Sequence, residues 1–280
     1  MLEFIMLIGL PGSGKSTYRK NFNGYDIHSS DDIREELNTN DPWEEMHKRT
    51  QQSLKEGRSV VYDATNLSRK KRRNILSIAK GCNAKTIAIV FATPFIECLE
   101  RNERRQRRVP ICAMNRMIKT FNMPTPHEFD EVKIVQNSII KLNFITDIAQ
   151  DSPHHSLKIN EHLEKANVIA LKKYPNDLMV HVSALFHDIG KPFCKTFINT
   201  KGETTDIAHY YGHENVGAYY YLTSRKANEN VLFVTQLINY HMRPYIWKKS
   251  SKAKERDKKD FGKELTDKVL KLHKCDILAH

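Results

Sequence analysis

The sequence lacks the features of secreted and membrane proteins. Its five cysteines are odd in number, scattered and without a C-x-x-C pair, which argues against a disulfide framework or a structural zinc site and favours a reducing compartment. No long hydrophobic run is present. The apolar start at residues 4–10 is too short for a signal peptide or a membrane span. We therefore expect no targeting segment, a cytoplasmic location and no membrane partner.

Acidic residues are also in short supply. The chain has 33 Asp and Glu against 45 Lys and Arg, which gives a formal net charge of +12. A basic balance of this size implies an acidic partner, with nucleic acid as the first candidate and a membrane surface as the second. The length of 280 residues is enough for two domains of ordinary size.

The pattern of apolar residues changes near residue 147. Before it, β-branched runs at 2–8, 58–62 and 86–92 alternate with helical spacing such as that of 68–80, which predicts an α/β domain with a parallel sheet. After it, helical spacing dominates and predicts an all-α domain, with helices at 156–173, 177–190, 213–226, 229–241 and 262–279. We place the domains at 1–147 and 148–280. The lysine-rich stretch 248–260 is predicted to be a mobile loop, either a solvated linker or a phosphate-binding segment.

A phosphate-binding loop follows the first apolar run. The sequence from Gly9 matches G-x-x-x-x-G-K-[ST] between a predicted strand and a predicted helix. Its backbone N–H groups would face the phosphates of an NTP such as ATP. Lys15 would reach the β- and γ-phosphates, and the Ser16 hydroxyl would hold Mg²⁺. The predicted nucleotide-binding residues are Gly9, Gly12, Ser13, Gly14, Lys15, Ser16 and Thr17.

Acidic and basic residues further along suggest how a phosphate would be transferred. Asp31 follows a short strand and could act as a catalytic base, unless it or its neighbour only caps a helix, and Arg34 could hold a phosphate on the acceptor. Asp63 could reach the Mg²⁺ hydration shell or the acceptor hydroxyl, or could only form a turn. Arg101 and Arg105 lie one turn apart in an arginine-dense segment and suit a lid over the transferring phosphoryl group.

In order and spacing these motifs resemble the kinase domain of phage-type polynucleotide 5′-kinases. The resemblance covers about 125 residues and rests on "GLPGSGKST", "SSDDIREEL", "DATNL", "FATPFIECLERNERR" and "RRVP". It implies that Asp31 is the general base, that Arg34 contacts the acceptor phosphate and that Arg101 and Arg105 belong to the lid. Some members carry their acid directly before "TN", where this chain has Ala64, so the role of Asp63 and the acceptor preference stay open.

The second half carries histidines in the order H…HD…H…H…D. It resembles the HD phosphohydrolase superfamily, most closely in "PHHSLKINEH", "HDIGKP" and "YGHE". The resemblance implies two metals, one held by His162, His187, Asp188 and Asp276 and a second held by Asp188, His213 and His241. His155 is an alternative to His162 as first ligand, and Lys191 could contact the phosphate. Such ligands suit Zn, Mn, Fe, Co or Ni without choosing among them.

The two halves together resemble bifunctional enzymes that repair nucleic-acid ends. We expect an NTP- and Mg²⁺-dependent 5′-OH kinase and a metal-dependent phosphatase acting on 2′,3′-cyclic, 2′- or 3′-phosphates of RNA or DNA, with RNA favoured. Sealing would require a separate ligase. Two alternatives stay open: a nucleoside kinase joined to an HD nucleotidase, and a nucleic-acid-binding protein without catalysis. The sequence does not indicate an oligomeric state.

Overall fold

The computed structural model describes residues 1–141, 146–152 and 156–280. Packing divides the chain into two units, which we describe separately. The first unit comprises Met1–Met117 and Phe129–Ser138, and the second comprises Ile118–Glu128 and Ile139–His280. The domain boundary that we place at residue 147 stays a prediction.

The first unit is a parallel sheet of five strands flanked by helices, as the sequence predicts. The strand order is β2-β3-β1-β4-β5. The strands are β1 (Glu3–Ile8), β2 (Asp26–Ser29), β3 (Val60–Asp63), β4 (Lys85–Phe91) and β5 (Glu131–Val135). The helices are α1 (Lys15–Tyr18), α2 (Ser30–Leu37), α3 (Trp43–Lys55), α4 (Arg69–Gly81), α5 (Phe95–Glu103) and α6 (Ile111–Ile118), with a short 3-10 turn at Arg19–Asn21.

The register of the sheet brings the first set of predicted site residues to one edge. Leu7 of β1 and Ser29 of β2 both pair with Asp63 of β3. The phosphate loop follows β1 and Asp31 follows β2, so both leave the carboxyl edge beside Asp63. Strands β1, β3 and β4 are almost wholly buried, because helices cover both faces of a parallel sheet.

The second unit is mostly helical. Its helices are α7 (Ile159–Lys173), α8 (Leu178–Phe186), α9 (Lys191–Cys194), α10 (His213–Thr223), α11 (Glu229–Tyr240), α12 (Arg243–Lys249) and α13 (Ser251–Leu278). A core of buried apolar side chains, including Val180, Leu237, Phe261 and Leu272, joins helices α7, α8, α11, α12 and α13. An antiparallel pair, β6 (Thr196–Ile198) and β7 (Thr204–His209), adds to the predicted all-α architecture.

The prediction of a mobile loop at 248–260 is wrong. Residues from Ser251 are helical and lead, through a break at Gly262, into the rest of α13. Ala253, Asp257 and Phe261 recur every four residues and are buried on one face. The Asp257 carboxylate accepts hydrogen bonds from Arg243 and from Trp247 Nε1. These contacts order the segment, and the lysines occupy its outer face.

Among the residues that the structure describes, no helix is long and apolar enough to cross a membrane.

Candidate active sites

The loop between β1 and α1 is held by buried side chains and by a glycine with positive φ. Its Lys15 is buried, and Lys15 Nζ donates to the carbonyls of Gly9 and Leu10 at 2.9 and 2.8 Å. The loop is fixed from outside by Thr93 Oγ1, which donates to the carbonyl of Ser13 at 2.9 Å. Gly12 has φ +80°, and a Cβ there would lie 2.5 Å from the carbonyl oxygen of Cys98, so only glycine fits.

Asp63 lies buried beside the loop. Arg19 Nη1 is 3.3 Å from Asp63 Oδ2 and 3.0 Å from a carboxylate oxygen of Asp32. Burial raises the pKa of Asp63, and the neighbouring cations Lys15 and Arg19 offset only part of that rise. Burial likewise lowers the pKa of Lys15, with Asp63 acting in the opposite direction. The two opposite charges therefore depend on each other for ionisation in this cavity.

The turn after Asp63 is held by buried side chains. Asn66 Nδ2 donates to the carbonyl of Leu7 at 2.8 Å, which ties the turn to β1. Arg72 is fully buried, and its Nη1 donates to the carbonyls of Asn66 and Leu67 at 3.0 Å. These contacts give "DATN" a structural role: they fix the position of Asp63 next to the phosphate loop.

Asp31 lies between two arginines. Arg34 Nη1 donates to one carboxylate oxygen at 3.1 Å, and Arg105 Nη2 donates to the other at 3.2 Å. The helix cap that could have explained Asp31 is supplied by Ser29, whose hydroxyl accepts from the backbone N–H of Asp32. The Asp31 carboxylate is therefore exposed and oriented rather than engaged in capping.

One cavity of about 1000 Å³ joins these groups. Its lining includes Lys15, Ser16, Asp31, Arg34, Asp63, Arg101 and Arg105. Arg101 also pairs with Glu97 at 2.8 Å one turn away. Every predicted residue of the kinase site except Gly9 and Ser13 borders this cavity, and those two lie buried in the loop beneath it.

The predicted metal ligands of the second unit form two clusters that share Asp188. One contains His162, His187, Asp188 and Asp276, and the other contains Asp188, His213 and His241, with ligand atoms within 4.8 Å of one another in each. Asp188 Oδ2 is 3.5 Å from both His162 Nε2 and His187 Nε2, whereas Oδ1 is 3.1 Å from His213 Nε2 and 3.6 Å from His241 Nε2. All six side chains are buried.

The hydrogen bonds of the imidazoles indicate that this site fits divalent metals. His187, His213 and His241 each place Nδ1 2.7–2.9 Å from a backbone carbonyl, of Ala184, Tyr210 and Ile238 respectively. A carbonyl can only accept, so Nδ1 carries a proton in each of these rings. Nε2 is then the atom left for the clusters: it donates to a carboxylate when the ring is protonated and offers a lone pair to a metal when the ring is neutral. His213 Nε2 and His241 Nε2 are 3.3 Å apart. At this distance either one nitrogen carries a proton that the other accepts, or both present lone pairs to a bound cation; the second arrangement is the one that a metal site uses.

Charges around the clusters keep the carboxylates ionised. Burial alone would raise the pKa of Asp188, but Lys191, His187 and His213 hold that pKa well below its usual value. Asp276 behaves in the same way through hydrogen bonds from His162, His187 and His280. Burial and the neighbouring His187 and His213 lower the pKa of His241 to about 3, so its ring is neutral, as a metal ligand must be.

Close packing against α10 fixes the position of the segment "HDIGK". A Cβ on Gly190 would lie 2.0 Å from the carbonyl oxygen of His213, so glycine is needed for α10 to approach. Lys191 is buried, and its Nζ is 2.6 Å from both Asp188 Oδ2 and Gln150 Oε1. Its contact with a substrate phosphate stays a prediction.

Sequence reasoning missed three residues that support these sites. Arg19 pairs with Asp63, Gln150 accepts from Lys191, and His280 Nε2 lies 3.3 Å from Asp276 Oδ1. Of these only His280 could have been inferred, since it is four residues after Asp276 on a helical pattern. The alternative ligand His155 lies outside the described residues.

The fold and the two clusters define a P-loop domain joined to an HD domain. Residues 4–124 match the family model of the AAA domain, and residues 147–279 match that of the HD domain. The chain thus combines a P-loop kinase domain with an HD domain and is an enzyme of the kinase and phosphohydrolase classes. The P-loop kinase domain implies a nucleotide with Mg²⁺, and the HD domain implies a divalent metal, for which the two clusters form a possible binding group.

Individual relatives cover parts of the chain. L-seryl-tRNA(Sec) kinase of Methanococcus maripaludis is 29% identical over 178 residues, which covers 56% of this chain and 69% of that protein. A putative bifunctional polynucleotide phosphatase/kinase of Acanthamoeba polyphaga mimivirus is 32% identical over 145 residues, 48% of this chain but only 33% of that protein. Among solved structures, a fungal RNA kinase aligns over 64% of this chain and 46% of its own, with 16% identity and a TM-score of 0.39.

Proposed function

We propose that this chain repairs nucleic-acid ends, with RNA as the preferred substrate. The first unit would transfer the γ-phosphoryl group of an NTP to a 5′-hydroxyl. The second would remove a 2′,3′-cyclic, 2′- or 3′-terminal phosphate. The observation that carries the proposal is that one basic chain holds a cavity lined by the predicted kinase residues and two buried clusters of the predicted metal ligands.

In the kinase site, Asp31 would take the proton of the attacking hydroxyl. The acceptor oxygen then bonds to the γ-phosphorus while the bond from that phosphorus to the bridging β–γ oxygen breaks. Arg34 and Arg105 hold the Asp31 carboxylate from both sides, which fixes the direction in which it accepts. Lys15, Arg101 and Arg105 would stabilise the negative charge on the transferred group, and Ser16 would hold the Mg²⁺.

In the phosphohydrolase site, His162, His187, Asp188, His213, His241 and Asp276 would hold the metals. Bound divalent metals would polarise the phosphate ester and supply a water of lowered pKa as the nucleophile. The chain itself fixes the geometry: backbone carbonyls orient three imidazoles, and Lys191 holds Asp188 Oδ2. The ester bond between phosphorus and the departing ribose oxygen breaks as water adds.

Two further observations support a polyanionic substrate. The net charge of +12 favours a partner with many phosphates. The viral relative bears a name that joins a polynucleotide phosphatase and a kinase, although the alignment spans a third of that protein.

Substrate competition tests the proposal. Purified chain with radiolabelled ATP and Mg²⁺ is offered 5′-OH RNA and DNA oligonucleotides and free nucleosides. In a separate reaction, 3′-phosphate and 2′,3′-cyclic-phosphate oligonucleotides are offered with Mn, Co, Ni, Zn or Fe. We expect label on oligonucleotide 5′ ends and loss of the terminal phosphate. Labelling of nucleosides alone would contradict the kinase assignment and favour a nucleoside kinase joined to a nucleotidase.

A second acceptor is favoured by one relative. The chain covers 69% of an L-seryl-tRNA(Sec) kinase, so the accepting hydroxyl could be a serine side chain carried on tRNA rather than a ribose 5′-OH. Seryl-tRNA added to the same assay decides between the two. Label that is released from the tRNA by mild alkaline deacylation would lie on the aminoacyl group.

A further inference from the structure

Trp43 borders the kinase cavity without a role in the chemistry described above. It is one of two tryptophans in the chain and the first residue of α3, and it is half-buried. The guanidinium carbon of Arg34 is 5.6 Å from the centroid of its ring, and Lys71 Nζ is 5.9 Å from it. Both cations therefore lie within reach of the aromatic face.

The strand order divides the cavity into two sides. The phosphate loop follows the central strand β1. On the side of β2 and β3, the lining comes from Asp31 and Arg34 of α2, Trp43 of α3 and Lys71 of α4. On the side of β4 and β5, it comes from segments that include Met117 and Asn137.

The position of the general base decides which substrate occupies which side of the cavity. A general base must lie within hydrogen-bond reach of the acceptor hydroxyl. With Asp31 as that base, on the side of β2 and β3, the acceptor would enter there. The nucleoside of the NTP would then lie on the side of β4 and β5.

We propose that Trp43 is the stacking platform for the terminal base of the acceptor strand. This inference rests on the proposed kinase function and specifies its acceptor as a nucleotide rather than a sugar. An indole stacks on any base, which gives binding without sequence preference. Arg34 and Lys71 lie near the ring and would meet the phosphates that follow that base toward the 3′ end, since a 5′-OH terminus has no phosphate on its other side. Lys71 is exposed and has a flexible stem, so it can leave the ring face to a base while staying near the backbone.

The test compares Trp43→Ala with Trp43→Phe in steady-state phosphorylation of a 5′-OH oligonucleotide. Loss of one stacked base corresponds to a KM for the oligonucleotide that is about 5- to 150-fold higher in Trp43→Ala. The KM for ATP should not change, and Trp43→Phe should retain most of the affinity because a phenyl ring still stacks. Ile96→Ala, an exposed apolar residue of α5 that does not border the cavity, is the matched control. Thermal unfolding verifies that each variant is folded.

A binding measurement supplements the kinetics. In wild-type chain, a 5′-OH oligonucleotide should quench part of the tryptophan fluorescence, and that part should be missing in Trp43→Phe. If wild type phosphorylates oligonucleotides while Trp43→Ala keeps its oligonucleotide KM, or raises only the KM for ATP, the platform is refuted and the kinase assignment stands. If wild type labels no oligonucleotide, the proposed kinase function is contradicted, and so is the stacking role of Trp43 that rests on it.

Discussion

Replacing Asp188 by Asn should destabilise the second unit through the lysine that it leaves behind. Lys191 Nζ is 2.6 Å from Asp188 Oδ2, and the two side chains are 5% and 3% exposed. Removing one partner of a buried ion pair typically costs ~3–5 kcal/mol, because the other charge stays buried without compensation. Replacing both by groups of similar shape removes that penalty.

Comparing the single variant Asp188→Asn with the double variant Asp188→Asn/Lys191→Met separates the effect of the uncompensated lysine charge from the effect of lost metal binding. We expect the single variant to lose about 3–5 kcal/mol of unfolding free energy in chelator-treated protein. The double variant should regain part of it, because the buried charge is gone while Gln150 Oε1 loses its donor. Phosphatase activity should be absent in both, because neither has the carboxylate that joins the two clusters.

Urea unfolding with a separate fluorescent reporter for the second unit is the assay. In a Trp43→Phe background, Trp247 is the remaining tryptophan; it is 6% exposed and packs against Phe261 in the core of the second unit. A loss below about 1 kcal/mol in the single variant would refute the reasoning. So would a double variant no more stable than the single, since Lys191 would then not depend on Asp188.

Three other predictions concern the kinase unit. Asp31→Asn keeps the size of the side chain, can accept from only one of Arg34 and Arg105, and removes the base, so kcat for 5′-OH phosphorylation should fall about 10²- to 10⁴-fold; unchanged kcat would exclude Asp31 as base. Asp63→Asn should unfold at a higher temperature than wild type at neutral pH. Burial raises the pKa of Asp63, so wild type loses stability as pH rises through the folded pKa and the Asp63 carboxyl ionises, whereas the Asn variant does not. That difference should vanish in acid, below the pKa of an unfolded Asp, and thermal melts across pH measure it. Gly12→Ala should raise the KM for ATP and lower stability by about 1–3 kcal/mol, because φ is +80° and the Cβ meets the Cys98 carbonyl; an unaltered KM would contradict the strain.

The sequence predicted the parts of the fold that follow from local patterns. The phosphate loop and the "HDIGK" segment carry their conformation in glycines and short-range spacing, and the apolar runs of β1, β3 and β4 required no knowledge of the rest of the chain. Residue order also selected the six residues that the structure gathers into the two clusters. Three of them lie in α7, α10 and α13, and the other three directly follow α8 and α11.

Long-range contacts account for what was missed. Residues 248–260 were predicted to be a loop because lysines dominate them and only Ala253 and Asp257 among residues 251–260 are buried. The partners of Asp257, Arg243 and Trp247, lie on another helix. The short strands β6 and β7 have weak patterns of their own and are defined by pairing with each other.

The residues that support the two sites were missed for the same reason. Gln150 is 41 positions from Lys191, and Arg19 is 44 positions from Asp63. No spacing rule connects residues so far apart, so their roles become visible only when the fold brings them together.

The central claim, that two independent active sites of opposite chemistry act on nucleic-acid ends, is tested most directly on one RNA carrying both a 5′-OH and a 2′,3′-cyclic phosphate. Mass spectrometry after incubation with ATP, Mg²⁺ and Mn²⁺ resolves the RNA with either end changed, with both changed and with neither. The account predicts both changes with wild type, only the 3′ change with Asp31→Asn and only the 5′ change with Asp188→Asn. Loss of both activities in a folded single variant, or neither activity in wild type, would contradict it.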